Sequence, residues 1–418
     1  MSTVPSSSLT EEPNQSEKSY SPALNPEDSE EELNASEQLN DSLEVIGEGS
    51  FSRVYGHTHS PWGGQVYKVC KNPDDVRRLL HESKLYDELR MFIIDRNGAD
   101  FLCPFFRVLL KPPIDQQPHE GTDPKPDVDN HIFPYPTIQL DRIPALTFAL
   151  EPLYKRLFVS EGAQSRVPRI HLLRLCLGCD LPMQITDFPQ GFTSDLSVDY
   201  SRYTKLEEIF VGLPPIGHIA HGMGTLLASM HWGVGIDALN VKLVLGSRII
   251  QNQFFWQCWV LNLDQVNGSD GGTADLQCER WLVYRPLEYL RFDKLTDGAY
   301  RDEDLVSGAM RLAHVISGQD YYPNPHYPEL YEQFKTAYMA QVGVLINGVN
   351  NTSAGPDLFL SENRAGATKW VPKIYEAAGA FIKELDSLNT EKRRRRDERA
   401  QEERAARVGE QWRRAGQE

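Results

Sequence analysis

The segment Gly47-Glu48-Gly49-Ser50-Phe51-Ser52-Arg53-Val54-Tyr55 has residue types and spacing suited to chemistry. Two glycines one residue apart let a hairpin tip bring its backbone N–H groups close to a phosphate. Phe51 can cap such a loop, and Val54 is placed to pack on a purine. Ser52 stands where a third glycine commonly sits and is small enough to keep the loop open. Two such glycines alone are more often a plain hairpin turn, so the residues that follow decide the reading. Lys68, in Val66-Tyr67-Lys68, comes 14 residues after Val54, and Glu82 comes 14 residues after Lys68. A lysine buried between a strand and a helix needs a carboxylate partner, because an isolated ammonium in a low dielectric is costly. A Lys68–Glu82 pair would hold that ammonium where the α- and β-phosphates of a nucleotide lie. The residues alone also allow a surface lysine and a solvated glutamate. Lys71 is the competing lysine, but three residues along a strand it points to the opposite face.

These side chains need elements to position them. Leu43–Ile46 and Arg53–His57 alternate as strands, and a third strand follows over Gln65–Lys71. A helix is expected from Asp74, with Val76, Leu79, Leu80, Leu85 and Leu89 near one face. FLCPFFRVLL reads as one apolar strand. The proline-rich, charged residues after it form a loop insertion over 111–131, before a strand in IFPYPTIQL and a helix in ALTFALEPLYKRLF. Further on stand a helix ending in LLASMHW, a strand pair around VKLVLG and FFWQCWVLNL, and two or three helices from Leu305 to about Leu388. Strands first and helices later predict an α+β chain.

Charge narrows the function classes. The 418 residues hold 43 Lys and Arg against 59 Asp and Glu, a net charge of −16. Residues 1–40 have nine carboxylates and one lysine and are expected to be a disordered acidic tail, because they cannot bury enough surface to fold. Residues 391–418 hold ten basic and seven acidic residues and read as a charged, basic tail able to form a helix. An acidic body argues against a protein that coats nucleic acid or an anionic membrane. No apolar run approaches the ~18 residues of a membrane span, so an intracellular chain is expected, in cytoplasm or nucleus. Lys392–Arg396 matches a nuclear-import patch, a pattern common by chance. Cys176-Leu-Gly-Cys179 has zinc-pair spacing, yet no second ligand pair stands nearby, so core packing is expected instead of zinc.

Residues 43–89 resemble the small lobe of the protein-kinase-like superfamily. The wider chain is similar to a fungal family of uncharacterised proteins, catalogued as domain of unknown function 3669 and labelled zinc finger proteins. The similarity lies in Leu140 to Leu146, Met230-His231-Trp232, Gly235 to Gly246, Trp259 to Gln265 and Asp320 to Pro325. It implies a protein-kinase-like, two-lobed fold. Its parts would be a β-rich small lobe over 41–140, a hinge at Leu140–Ala145 and a mainly helical large lobe over 141–388. Backbone groups of the hinge, at Ile143 among others, would face an adenine, so ATP is the implied cofactor.

The same similarity exposes departures. A phosphotransferase needs a carboxylate to orient the attacking hydroxyl, and further ligands to hold metal on the phosphates. Asp237 fits the first role. Five residues on, where kinases place a metal-binding asparagine, stands Lys242, and the aspartate of the family's DFN segment corresponds to Asn262. Asp264, two residues later, is the remaining candidate metal ligand. A cation and a neutral amide at these positions argue against Mg²⁺, while Lys242 could neutralise phosphates directly. The resulting expectation is a kinase-like regulatory or interaction protein, a pseudokinase with impaired catalysis. It would have a protein partner and retain nucleotide binding through Gly47, Gly49, Val54, Lys68, Glu82 and Ile143. An active phosphotransferase and a nuclear, nucleic-acid-associated factor stand as alternatives.

Overall fold

The structure is a computed structural model. It describes residues 43–415 apart from 50, 58–63, 95–100, 111–132, 134, 147–149, 166–170, 187–194, 211, 235, 237, 239–240, 251–252, 264–301 and 351–363. The 1–40 segment and the 111–131 insertion therefore lie outside the described residues. Strands β1 (Leu43–Glu48), β2 (Ser52–His57) and β3 (Gln65–Cys70) form an antiparallel meander. Period-two alternation divides β3 between two environments. Val66 and Cys70 join the main core, whereas Tyr67 and Val69 pack with Phe133 on the other face. Lys68 shares the inward parity of Val66 and Cys70.

A turn of 3-10 helix at Pro73–Asp75 leads into α1 (Val76–Ile94). Leu79, Leu85 and Leu89 are fully buried, each stabilising by about 1.5–3 kcal/mol. Leu80, expected on the same face, is 41% exposed. It lies roughly 100° around the helix from Leu79, beyond the edge of the buried stripe.

FLCPFFRVLL is two strands in different sheets. These are β4 (Phe101–Leu102) and β5 (Phe106–Leu110). Pro104 stands between them, and a proline cannot donate to a ladder. With β6 (Thr137–Asp141), the first sheet runs β1-β2-β3-β6-β5, antiparallel throughout. After a connecting segment come α2 (Leu150–Phe158), β7 (Leu172–Leu175) and β8 (Asp195–Val198). Helix α3 (Tyr200–Ile209) is capped by the Asp199 carboxylate, which accepts from the Arg202 N–H at 2.9 Å. Helix α4 (Ile216–Ala228) runs into a π turn at Ser229–Val234, followed by the hairpin β9 (Lys242–Ile250) and β10 (Gln253–Leu261). The second sheet is mixed, in the order β4-β10-β9-β7-β8. Three helices follow, α5 (Asp302–Ser317), α6 (Pro328–Asn350) and α7 (Arg364–Ala415). The chain is thus α+β, and Leu43–Glu418 packs as one unit.

Helix α7 joins the last packed segment and the charged tail in one element. It runs for 52 residues, and its first half supplies Ile374, Ala377, Ala378, Phe381 and Leu385 to the core. Beyond that, Glu391–Arg395 and Arg394–Glu398 pairs at i,i+4 sustain it. Two of its basic residues reach back to the body. Lys392 donates to the Ser317 carbonyl, and Arg396 pairs with Asp180. Exposed pairs are worth about 0–1 kcal/mol each. Ending the chain after Thr390 should therefore lower Tm by no more than about 5 °C, whereas ending it before Arg364 should abolish cooperative melting. Calorimetric melting of both truncations checks this.

Trp232, Phe334, Tyr338 and Phe381 are fully buried, and Tyr338 links them by accepting from Trp232 Nε1 at 2.7 Å. His231 sits in the same cluster, its Nδ1 3.0 Å from the Tyr338 hydroxyl, and acts in packing. Among the described residues, no helix is long and apolar enough to cross a membrane.

Candidate functional site

The Lys68–Glu82 pair forms as the spacing predicted. Lys68 Nζ lies 2.7 and 2.5 Å from the two carboxylate oxygens of Glu82. Lys68 is 7% exposed and Glu82 not at all, so the pair is shielded from water and each charge depends on the other. The first sheet supplies the lysine and α1 the carboxylate. Lys71 turns the other way, as strand parity requires, and bonds Glu48 at 2.6 Å. With Arg53, also on Glu48, it ties the base of the glycine loop. Hydrogen bonds from Lys71 and Arg53 hold the Glu48 carboxyl below the usual range.

A cleft lies beside this pair. Gly47, Gly49, Val54 and Lys68 line it from the first sheet, Ile143 from the connecting segment, and Lys242 and Asn262 from the second sheet. Glu82 does not line it. It binds the Lys68 ammonium from the side of α1 and so positions it. Phe51, expected to cap the loop, is instead turned inward and buried, with Lys68 Nζ 4.9 Å from its ring centre.

The glycines owe nothing to crowding. A Cβ at Gly47 would meet nothing nearer than 3.6 Å, and one at Gly49 nothing nearer than 3.7 Å. What their absent side chains provide is an open roof over the cleft.

The connecting segment is clamped onto β9. Ser247 N–H donates to the Pro144 carbonyl at 3.1 Å and its hydroxyl to the Ala145 carbonyl at 2.8 Å. Gly246 permits this approach, since a Cβ there would stand 2.6 Å from Ile143 Cγ2. Arg142 N–H is used by the Gly64 carbonyl and Leu146 N–H by the His171 carbonyl. Between them, the Ile143 N–H and C=O make no hydrogen bond among the described residues. A strip with one unengaged donor and acceptor, lining a cleft, can recognise a ring edge.

Lys242 and Asn262 meet because they end paired strands, with Lys242 opposite Leu261 in the β9–β10 ladder. Asn262 adopts φ +67, a left-handed conformation that asparagine tolerates better than most residues. Ala238 also takes positive φ, 54, and alanine pays about 1–2 kcal/mol for it. Asp237 and Asp264 lie outside the described residues. The cleft's polar lining includes Lys68, Lys242, Arg142, His171 and Asn262, with the carboxylates of Glu48 and Asp141. No group of three or more His, Cys, Asp or Glu that could hold a metal stands among the described residues. Val54, Val66, Leu140, Leu172 and Leu261 add apolar walls. The cleft thus combines apolar walls with charged and amide side chains.

Arg142, from the expected hinge, also lines the cleft, as do His171 and Tyr86, which no motif marked. His171 is directed there by its place just before β7. The strand stops at Leu175, so Cys176 and Cys179 fall in the turn after it, with Cys179 Sγ donating to the Cys176 carbonyl at 3.7 Å.

No protein-family model matches the chain, and no curated protein matches it significantly.

Proposed function

We propose that the chain is a protein-kinase-like, two-lobed regulatory protein that holds ATP in this cleft without efficient phosphoryl transfer. The first sheet with α1 is its small lobe, the connecting segment its hinge, and the second sheet with the later helices its large lobe. The observation that supports it best is one cleft lined by Lys68, which the buried Glu82 holds, together with Lys242 and Asn262. The first is the apparatus that holds phosphates; the other two stand where metal ligands would be needed. Lys68 and Lys242 would take the phosphates, Ile143 the edge of the base, and Val54 its face. ATP would supply phosphate charge for both lysines and a flat ring for the apolar walls. A cation at position 242 substitutes for part of the charge that Mg²⁺ would neutralise. The cleft measures about 160 Å³, below the ~300–1,000 Å³ usual for small-molecule sites, so binding must be accompanied by some parting of the lobes. A protein whose lobes part on binding a nucleotide is suited to signal occupancy to a protein partner.

The exchange of charges can be reversed. In the double variant Lys242→Asn/Asn262→Asp, ATP binding should become dependent on Mg²⁺ and tighten about tenfold or more when it is added. A titration of the variant with and without Mg²⁺ checks this. If the variant gains no metal dependence, these two positions do not face the phosphates and the proposed assignment fails.

A further inference from the structure

A second cavity, of about 500 Å³, adjoins the connecting segment, and Asp141 and Arg142 line both it and the cleft. Its volume falls within the ~300–1,000 Å³ of small-molecule sites. Three guanidiniums line it, from Arg107, Arg142 and Arg248, against the single carboxylate of Asp141. Arg107 already pairs with Asp141, so the remaining charge is positive. Arg142 is 6% exposed and anchored, its Nη1 donating to the His57 carbonyl at 2.6 Å. Gly56 makes room for that reach, since a Cβ there would come within 3.3 Å of the same nitrogen. Arg248 is exposed and has no hydrogen-bond or ion-pair partner among the described residues. Trp259 Nε1 is buried and likewise has no acceptor. A buried N–H without an acceptor is costly, and the Trp259 side chain that carries it borders this positive cavity. Ile249 and Pro144 supply an apolar wall.

We infer that this cavity binds a small aromatic anion, its phosphate or carboxylate head accepted by Arg142, Arg248 and Trp259 Nε1 and its ring against Ile249 and Pro144. Guanidinium forks suit both heads, since each presents paired oxygens. The inference does not depend on nucleotide binding in the cleft.

The test is a titration of the full chain with phenyl phosphate, benzoate and inorganic phosphate, read by calorimetry and by tryptophan fluorescence. Saturable binding of phenyl phosphate or benzoate, tighter than that of inorganic phosphate, is expected, and the tighter of the two identifies the head group. Arg248→Gln should weaken it about tenfold with Tm unchanged, because the side chain is exposed. Trp259→Phe should weaken it and remove the fluorescence response. Arg399→Gln, on the exposed face of α7, should do neither. The inference is overturned if neither aryl anion saturates below roughly 10 mM, a level weaker than any useful affinity. It is equally overturned if Arg248→Gln and Arg399→Gln weaken binding alike, since that marks general charge attraction.

Discussion

Replacing Lys68 by methionine is expected to destabilise the protein by about 3–5 kcal/mol, because it leaves the fully buried Glu82 carboxylate without its partner. Both carboxylate oxygens lie within 2.7 Å of Lys68 Nζ, so the substitution removes hydrogen bonds to each of them. The deficit should shrink in acid, since an unpaired buried carboxylate is relieved by taking up a proton. Removing both charges gives the opposite result. Lys68→Met/Glu82→Leu buries two apolar side chains in place of an ion pair, an exchange that is often neutral or stabilising. Its Tm should return to near the parent value while its affinity for ATP does not. Paired melting and binding measurements on the three proteins separate the structural role of the pair from its role at the phosphates. Recovery of ATP binding in the double variant would show that Lys68 is there for stability alone.

Gly224→Ala should also destabilise the protein. A Cβ on this residue of α4 would lie 2.1 Å from the Phe334 carbonyl oxygen and 3.0 Å from the Tyr338 nitrogen, both backbone atoms of α6. No side chain can swing aside, so the two helices must separate, and overpacking of this kind costs about 1–3 kcal/mol or more. The shift would spread to Tyr338, which holds Trp232 and stands beside His231. Better helix propensity returns at most about 1 kcal/mol. Gly379→Ala in α7 is the control, because nothing lies within 4 Å of its Cβ position. There the propensity gain stands alone, and a rise in Tm is expected. Thermal melting of the two variants should thus give shifts of opposite sign.

The β1–β2–β3 meander was legible in the sequence because alternation specifies it locally. The Lys68–Glu82 pair was legible for the same reason, one residue being fixed by strand parity and the other by helical period. The split of FLCPFFRVLL was hidden. Apolar runs look alike whichever sheet they join, and only Pro104 marked the break. The helical tail was legible from its helix formers and i,i+4 pairs, but its continuity with the packed segment was not, because the apolar face fades after Leu388. The cavity beside the connecting segment left no pattern to read. Its residues come from β2, β3, β5 and β6 of the first sheet, β9 and β10 of the second and the segment between, and lie up to about 200 positions apart in the chain. Lys242 and Asn262 were flagged as substitutions, but their meeting at the ends of paired strands is a property of the β9–β10 hairpin.

The most direct test of metal-independent nucleotide binding is a calorimetric titration of the full chain with ATP, once with Mg²⁺ and once with a chelator. Saturable binding is expected in both, with affinities agreeing within about threefold, less than the tenfold that 1.4 kcal/mol of metal coupling would produce. Binding that requires Mg²⁺, or no binding in either condition, would contradict it.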